Sequence, residues 1–215
     1  MAQDKDAGNL HMLNENIGVY TEKGGTIGFY FSDDALIIID TQFPDSAKNF
    51  TELLQKHTTR KIDYVINTHH HQDHTAGNFY FKDIAGHIVA NENSVELQKK
   101  FYGKGDSADK QAYADLTFAE TWNLELPNEK LNVSYYKPAH TGGDSVIHFE
   151  NQNIAHLGDL VFNQVYPYID RPGGAHLAGW IEYVEKVLTD FDDDTLFIFG
   201  HAAKPSLVYG KKDAV

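Results

Sequence analysis

Apolar residues come in short alternating or continuous blocks along the first forty positions, and turn-forming residues cut the blocks apart. Residues 16–20, 26–32 and 35–40 carry the β-branched and aromatic content of strands. Gly24-Gly25 and Asp33-Asp34 separate them with side chains that accept turn dihedrals. The spacing predicts an antiparallel meander, preceded by a polar tail over residues 1–15. Phe50, Leu53 and Leu54 recur at helical spacing within residues 45–57, and the apolar run over 62–66 reads as a buried strand. Further helices are expected over 93–102 and within 107–118, joined by Tyr102-Gly103-Lys104-Gly105-Asp106, the stretch most prone to move. Strands return at 131–136, 145–149, 153–157 and 196–199, with one amphipathic helix over 178–188 between the last two. Two β-rich halves emerge, without a repeat, a low-complexity tract or a linker, so residues 1–215 read as one domain.

The strand at 62–66 runs into Asn67-Thr68-His69-His70-His71-Gln72-Asp73-His74-Thr75-Ala76-Gly77. A buried imidazole or carboxylate must be hydrogen-bonded, solvated or metal-bound, and so many within six positions point to metal rather than packing. Residues two apart in an extended loop point the same way. His69 and His71 can therefore grip one ion, while Asp73 and His74, where the chain turns helical, reach a second. His70 alternates away from its neighbours and reads as a residue behind the ligands or facing solvent.

This H-x-H-x-D-H pattern resembles the signature of the metallo-β-lactamase superfamily. Pro138-Ala139-His140-Thr141-Gly142-Gly143-Asp144, Leu157-Gly158-Asp159-Leu160-Val161-Phe162 and Phe199-Gly200-His201 follow in the order that family uses. The resemblance implies an α+β fold, a four-layer αβ/βα sandwich with metals at one edge between two packed sheets. It further implies that His69, His71 and His140 hold one ion, that Asp73, His74 and His201 hold the other, and that Asp159 bridges them. Imidazoles and carboxylates without thiolate suit zinc, two ions per chain, and the same set accepts manganese or iron. Two such ions about 3.5–4 Å apart share a water, lower its pKa toward neutrality and hold it as the nucleophile. Asp73 doubles as the catalytic proton carrier. Asp40, closing the strand at 35–40, resembles a recurrent acidic position and reads either as a strand-end cap or as the carboxylate that orients a ligating imidazole. Asp144 is a weaker instance of the same. His148 and His156 fall within strands and read as core or sheet-face histidines.

Among relatives, the thiol-containing β-lactamases place cysteine in the second metal site, and this chain has no cysteine. The ligand set is closer to glyoxalase II-like thioesterases and lactonases, although His140-Thr141-Gly142-Gly143-Asp144-Ser145 also resembles β-lactamase-related proteins of unassigned substrate. The implied activity is a dinuclear zinc-dependent hydrolase acting on a small ester, thioester, lactone or lactam. Two other readings stay open: an iron-dependent oxidoreductase resembling persulfide dioxygenases, and a non-catalytic metal-binding protein. Relatives commonly continue past the last histidine through a strand and an outer helix. Here fourteen residues follow His201. They suffice for a strand but not for a long helix, which leaves a sheet face to the 178–188 helix alone or to another subunit of a homo-oligomer.

The formal charge of −13 opposes a phosphate backbone and argues against a nucleic-acid partner. No apolar run approaches the length of a membrane span, so a small-molecule substrate is expected and a membrane partner is not. Met1-Ala2-Gln3-Asp4-Lys5-Asp6 lacks the apolar core of a signal peptide, which suits a cytoplasmic protein, or a periplasmic or secreted one whose Met1 replaces a removed signal. Tyr166-Pro167-Tyr168-Ile169-Asp170-Arg171-Pro172-Gly173-Gly174-Ala175-His176 reads equally as a rigid loop beside a pocket or as a connector. Arg171 and the aromatic residues would suit an apolar substrate with an anionic group, and His176 reads as a solvated loop histidine.

Overall fold

The computed structural model describes residues 6–7 and 9–215. Its first sheet has eight strands in chain order: β1 (Asp6–Ala7), β2 (Leu10–Met12), β3 (Ile17–Glu22), β4 (Gly25–Phe31), β5 (Leu36–Ile39), β6 (Ile62–Asn67), β7 (Ala85–Asn91) and β8 (Leu116–Phe118). Strands β1 to β5 pair antiparallel in succession, and β3 to β5 are the expected meander. Its β3–β4 turn is Lys23-Gly24, with φ of 50° and 89°. Positive φ at both central positions is the hairpin geometry that follows strand twist, and glycine adopts it without steric cost. From β5 onward the pairing is parallel and each connection carries helix, as parallel strands require. Helix α1 (Pro44–Leu54) starts with proline and an acidic first turn, and buries Ala47, Phe50 and Leu54. The short helices α2 (Gln72–Thr75) and α3 (Asn78–Phe81) follow β6, and α4 (Glu92–Tyr102) follows β7, capped by the Asn91 side chain.

The second sheet comprises β9 (Thr121–Leu126), β10 (Glu129–Tyr135), β11 (Ser145–Phe149) and β12 (Ile154–His156), then β14 (Leu196–Ile198) and β16 (Tyr209–Gly210), in the spatial order β16-β14-β12-β11-β10-β9. A small parallel pair, β13 (Phe162–Asn163) and β15 (His201–Ala202), sets Phe162 opposite His201. Helix α5 (Leu177–Asp190) covers the outer face of the second sheet.

Three apolar clusters define the layers. Ile17, Ile37, Ile39 and Val89 of the first sheet meet Leu131, Val133, Ile147 and Phe149 of the second. Ile27, Phe29, Ile38 and Val65 face α1 and α3, and Val146, Ala155 and Phe197 face Trp180, Tyr183 and Val187 of α5. Helix, sheet, sheet, helix is the four-layer αβ/βα sandwich expected from the sequence. Phe50 is fully buried between Tyr20 and Phe29. Phe50→Ala should therefore cost about 3–5 kcal/mol through lost transfer energy and a cavity, read from the midpoint of a urea unfolding curve at unchanged slope.

Three local readings change, and one is borne out. Residues 1–5 and 8 of the proposed tail lie outside the described residues. The rest is not a tail: Leu10 is fully buried in the cluster under α1, and β2 pairs with β3. Residues 107–118 form no α-helix. Gly105–Lys110 is a 3-10 turn with no buried residue, and Leu116–Phe118 instead extends the first sheet, because only there do Leu116 and Phe118 reach apolar neighbours. Strands β7 and β9 were not anticipated; β7 opens with Ala-Gly-His, and only the chain on either side makes it a strand. The segment after His201 does supply a final edge strand, β16, antiparallel to β14. No helix among the described residues is long and apolar enough to cross a membrane.

Candidate metal centre

The candidate site residues leave the C-terminal ends of β5, β6, β12 and β14 and the loop after β10. They meet at one edge between the sheets, where open sheets characteristically place ligands. The cluster begins with Asp40, which is fully buried with φ of 59°. Its carboxylate accepts hydrogen bonds from the Thr68 N–H and O–H, both at 2.8 Å, and from His74 Nδ1 at 2.7 Å. Of the two readings for Asp40, the orienting one describes these contacts. Thr68 Oγ1 in turn accepts from His69 Nδ1 at 3.0 Å.

The other histidines repeat the arrangement. His140 Nδ1 donates to the Tyr168 carbonyl at 2.8 Å, His201 Nδ1 to the Gly24 carbonyl at 2.8 Å, and His71 Nε2 to Asp170 Oδ2 at 3.0 Å. One nitrogen of each ring is thus committed as a donor, which fixes the tautomer and leaves a lone pair on the other. Those lone pairs converge. His69 Nε2 lies 3.0 Å from His71 Nδ1, which lies 3.1 Å from His140 Nε2, and His74 Nε2 lies 3.4 Å from His201 Nε2. Acceptors cannot bond to one another, so a cation fits here. Asp159 stands between the two groups: Oδ2 is 3.4 Å from both His140 and His201 Nε2, and Oδ1 is 3.2 Å from His74 Nε2. Oδ1 is buried without a hydrogen-bond partner, as an oxygen aimed at a metal would be. Asp73 Oδ2 lies 3.0 Å from His201 Nε2. Two groups that could hold an ion result, His69/His71/His140/Asp159 and Asp73/His74/His201.

Burial, then the surrounding imidazoles, pushes His69 well below the ordinary histidine range, and His71 moves the same way. Burial would also lower His74, but Asp159, Asp40 and Asp73 outweigh it and hold His74 well above that range. Burial alone would raise Asp73 and Asp159; the facing histidines, His74 foremost, lower both instead.

His70 departs from one expectation. It does not face solvent; it is 1% exposed, stacked on Phe101 and 3.5 Å from Asp170. Its ring nitrogens have no hydrogen-bond partner, and burial followed by His71 lowers its pKa to about 3. With His71 and Asp170 it forms a third group with ligand-like spacing. His156 lies fully buried in β12, and His148 packs edge-on against Phe191, both within the sheet as expected. Asp144 accepts from Thr141 N–H and O–H, each at 2.7 Å, and so braces the turn that carries His140 without touching its ring.

Sequence reasoning missed Asp170 as a site residue. The Tyr166 to His176 segment does border the site: Tyr168, Asp170 and Pro172 line a pocket of about 660 Å³ over the cluster, together with Phe43, Phe101, Tyr102 and Phe162. Its cationic side chain is Lys23 from the hairpin turn; Arg171 is exposed and outside the lining. His176 caps α5 by accepting from Gly179 N–H. Gly200 closes the floor, since a Cβ there would fall 2.0 Å from Asp159 Oδ1. Gly200→Ala should push that carboxylate aside and weaken binding of an added divalent metal by about tenfold or more, on the scale of other disturbed ligand supports. Competition against a zinc-chelating dye measures it.

Residues 20–201 match the family model described as the metallo-beta-lactamase superfamily. The chain is 30% identical over 173 residues to the 2,4-dinitroanisole O-demethylase subunit alpha of Nocardioides sp. (strain JS1661), a match covering 79% of this chain and 50% of that protein. The chain thus spans about half the length of that relative. It is 26% identical over 209 residues to the metallo-beta-lactamase type 2 of Bacillus cereus, covering 90% of this chain and 76% of the relative. The solved metallo-beta-lactamase from Pontibacter korlensis superposes with a TM-score of 0.76 at 15% identity, over 95% of this chain and 94% of that one.

Proposed function

Because the chain belongs to the metallo-beta-lactamase superfamily, we propose that it is a dinuclear zinc-dependent hydrolase of a small ester, thioester, lactone or lactam. The observation that carries this reading is the convergence of five imidazole lone pairs on Asp159, each ring anchored from behind by an oxygen acceptor. In this reading His69, His71 and His140 hold one zinc, Asp73, His74 and His201 the other, and Asp159 both. The bound pair supplies a water acidified toward neutrality and an electrophile for the substrate oxygen.

The chain's own residues supply the rest. Asp73 is the most exposed carboxylate of the cluster, at 30%, and borders the pocket. It can take the proton that the attacking water loses and return it to the leaving oxygen, sulfur or nitrogen. Asp40 and Thr68 keep His69 and His74 in the ligating tautomer. The rings of Phe43, Phe101, Tyr102 and Tyr168 hold the apolar body of the substrate, and Lys23 attracts an anionic group at the rim. The same aromatic walls suit an activated aryl ether, the class in the name of the demethylase relative.

The deciding experiment is a screen of zinc-loaded protein against lactones, thioesters, β-lactams, phosphodiesters and activated aryl ethers, with and without chelator. Chelator-sensitive hydrolysis of one class supports the proposal. Bound iron with oxygen-dependent turnover would replace it with the redox reading, and zinc without any turnover would favour a metal-binding protein.

Proton linkage separates the two ion sites. His69 and His71 are lowered in pKa, so near pH 6 zinc at their site displaces fewer protons from them. His74 and His201 are raised and still hold protons there, so zinc must displace those protons and binds more tightly as pH rises. Calorimetry in buffers of different ionisation enthalpy should show proton release on filling the Asp73/His74/His201 site. Equal release at both sites would contradict the assignment.

A further inference from the structure

The acceptors behind the five rings come from different parts of the chain. Asp40 and Thr68, just beyond β5 and β6, back His74 and His69, and the hairpin carbonyl of Gly24 backs His201. The segment from Tyr168 to Gly174 backs the other two: the Tyr168 carbonyl accepts from His140 at 2.8 Å, and Asp170 Oδ2 from His71 at 3.0 Å. His71 and His140 belong to the same group of candidate ligands. The segment is also knit to the turn that carries His140. Gly142 N–H donates to the Gly173 carbonyl at 2.8 Å and His176 N–H to the Ala139 carbonyl at 2.9 Å, while Lys100 of α4 reaches the Pro172 carbonyl at 3.1 Å. Asp170 is confined. Its Oδ1 accepts from Gly173 N–H at 3.0 Å, His70 Nε2 stands 3.5 Å from Oδ2, and a Cβ on Gly173 would overlap that oxygen. The outer part of the loop is open, with Tyr168 62% exposed against 6% for Asp170.

We propose that this segment is a strap that assembles one ion site and not the other, with Asp170 as its positioning residue, so that closing the strap and filling the His69/His71/His140 site are linked. Opened, the strap would leave the His71 and His140 rings free to rotate and to take the other tautomer. Closed, it commits one nitrogen of each as a donor and turns the opposite lone pair toward the ion. Such coupling is reciprocal: whatever factor the closed strap adds to ion affinity, the bound ion adds to strap closure. Tyr168, Asp170 and Pro172 are at the same time walls of the pocket. That wall is therefore complete only over a loaded site. The Asp73/His74/His201 site, whose rings are backed by Asp40 and Gly24, fills independently of the strap. This linkage rests on the ligand sets assigned under the hydrolase reading, not on turnover.

Asp170→Asn is the test, because asparagine keeps the size of the side chain and one acceptor oxygen but cannot accept from both His71 and Gly173. Zinc calorimetry should show one site weakened roughly 10–100-fold and the other unchanged, while the cooperative thermal transition is retained. Single-site backgrounds identify the affected site. Asp170→Asn should weaken the zinc that remains in His201→Ala and leave the zinc that remains in His140→Ala unaffected. Gly173→Ala, which displaces the carboxylate without removing it, should act in the same way. Zinc should in turn slow hydrogen exchange at the Gly142 and Gly173 amides of the wild type and of His201→Ala, but not of His140→Ala. Equal weakening of both sites, or of neither, overturns the strap, as do strap amides that exchange at one rate with and without zinc. Two tight zincs with these effects but no turnover of any substrate would keep the strap and reject the hydrolase; turnover without these effects would do the reverse. A wild-type chain that binds no zinc would overturn both.

Discussion

Asp159→Ala is expected to abolish tight binding of a second zinc and to lower turnover on the order of a thousandfold or more, beyond the 10–100-fold typical of losing an outer hydrogen-bond partner. The reason is geometric. One carboxylate oxygen lies 3.4 Å from His140 and His201 Nε2 and the other 3.2 Å from His74, so a single side chain faces both groups of imidazoles. Without it, two divalent ions would repel each other across the site with one anion fewer between them. His69→Ala and His201→Ala should each weaken one site and leave the other measurable. Calorimetric titration with zinc decides; two tight sites surviving in Asp159→Ala would refute the bridging role.

The second large effect is a comparison at Asp40 and Asp73. Asp40 accepts from three donors, the Thr68 N–H and O–H and His74 Nδ1. An asparagine amide offers one acceptor oxygen and places two N–H donors where an acceptor is needed, so Asp40→Asn cannot serve all three. The backbone would not suffer, because asparagine tolerates the left-handed φ of 59° found there. Zinc affinity should fall roughly 10–100-fold as His74 loses its fixed tautomer, and excess zinc should restore most of the rate. Asp73→Asn should resist that rescue, since it weakens a proposed ligand and removes the proposed proton carrier together. Rates at zinc saturation settle the matter: an equal, unrescued loss in both variants would mean that Asp40 acts in the chemical step or holds the backbone.

The local chemistry of the cluster could be read from the chain. His69, His71, Asp73 and His74 leave one loop, and their spacing alone sends them into a common region, because side-chain direction in a short segment follows from backbone periodicity. Asp40, at the end of an apolar strand, was legible as a carboxylate in search of a donor. Strands β3 to β5 and helices α1, α4 and α5 were equally plain, since a hydrophobic period with its turn residues or caps is a short-range signal. The four layers came from resemblance, and the three apolar clusters then gave them a physical basis.

What the chain did not disclose is long-range. Strand β7 carries no alternation in its first half and is a strand because β6 and β8 flank it. Leu10 looked like part of a polar tail until the cluster beneath α1 supplied its neighbours. His70 was placed by alternation beside its loop, but the segment from Asp170 to Gly173 folds over it and buries it. Asp170, ninety-nine positions from His71, and Lys23, on a distant hairpin, entered the site only through chain closure. The sequence by itself determined which side chains could bind metal, because ligand chemistry and local spacing are properties of a few consecutive residues. The tertiary structure alone decided which acceptor stands behind each imidazole and what walls the pocket, because those depend on loops whose packing no local pattern encodes.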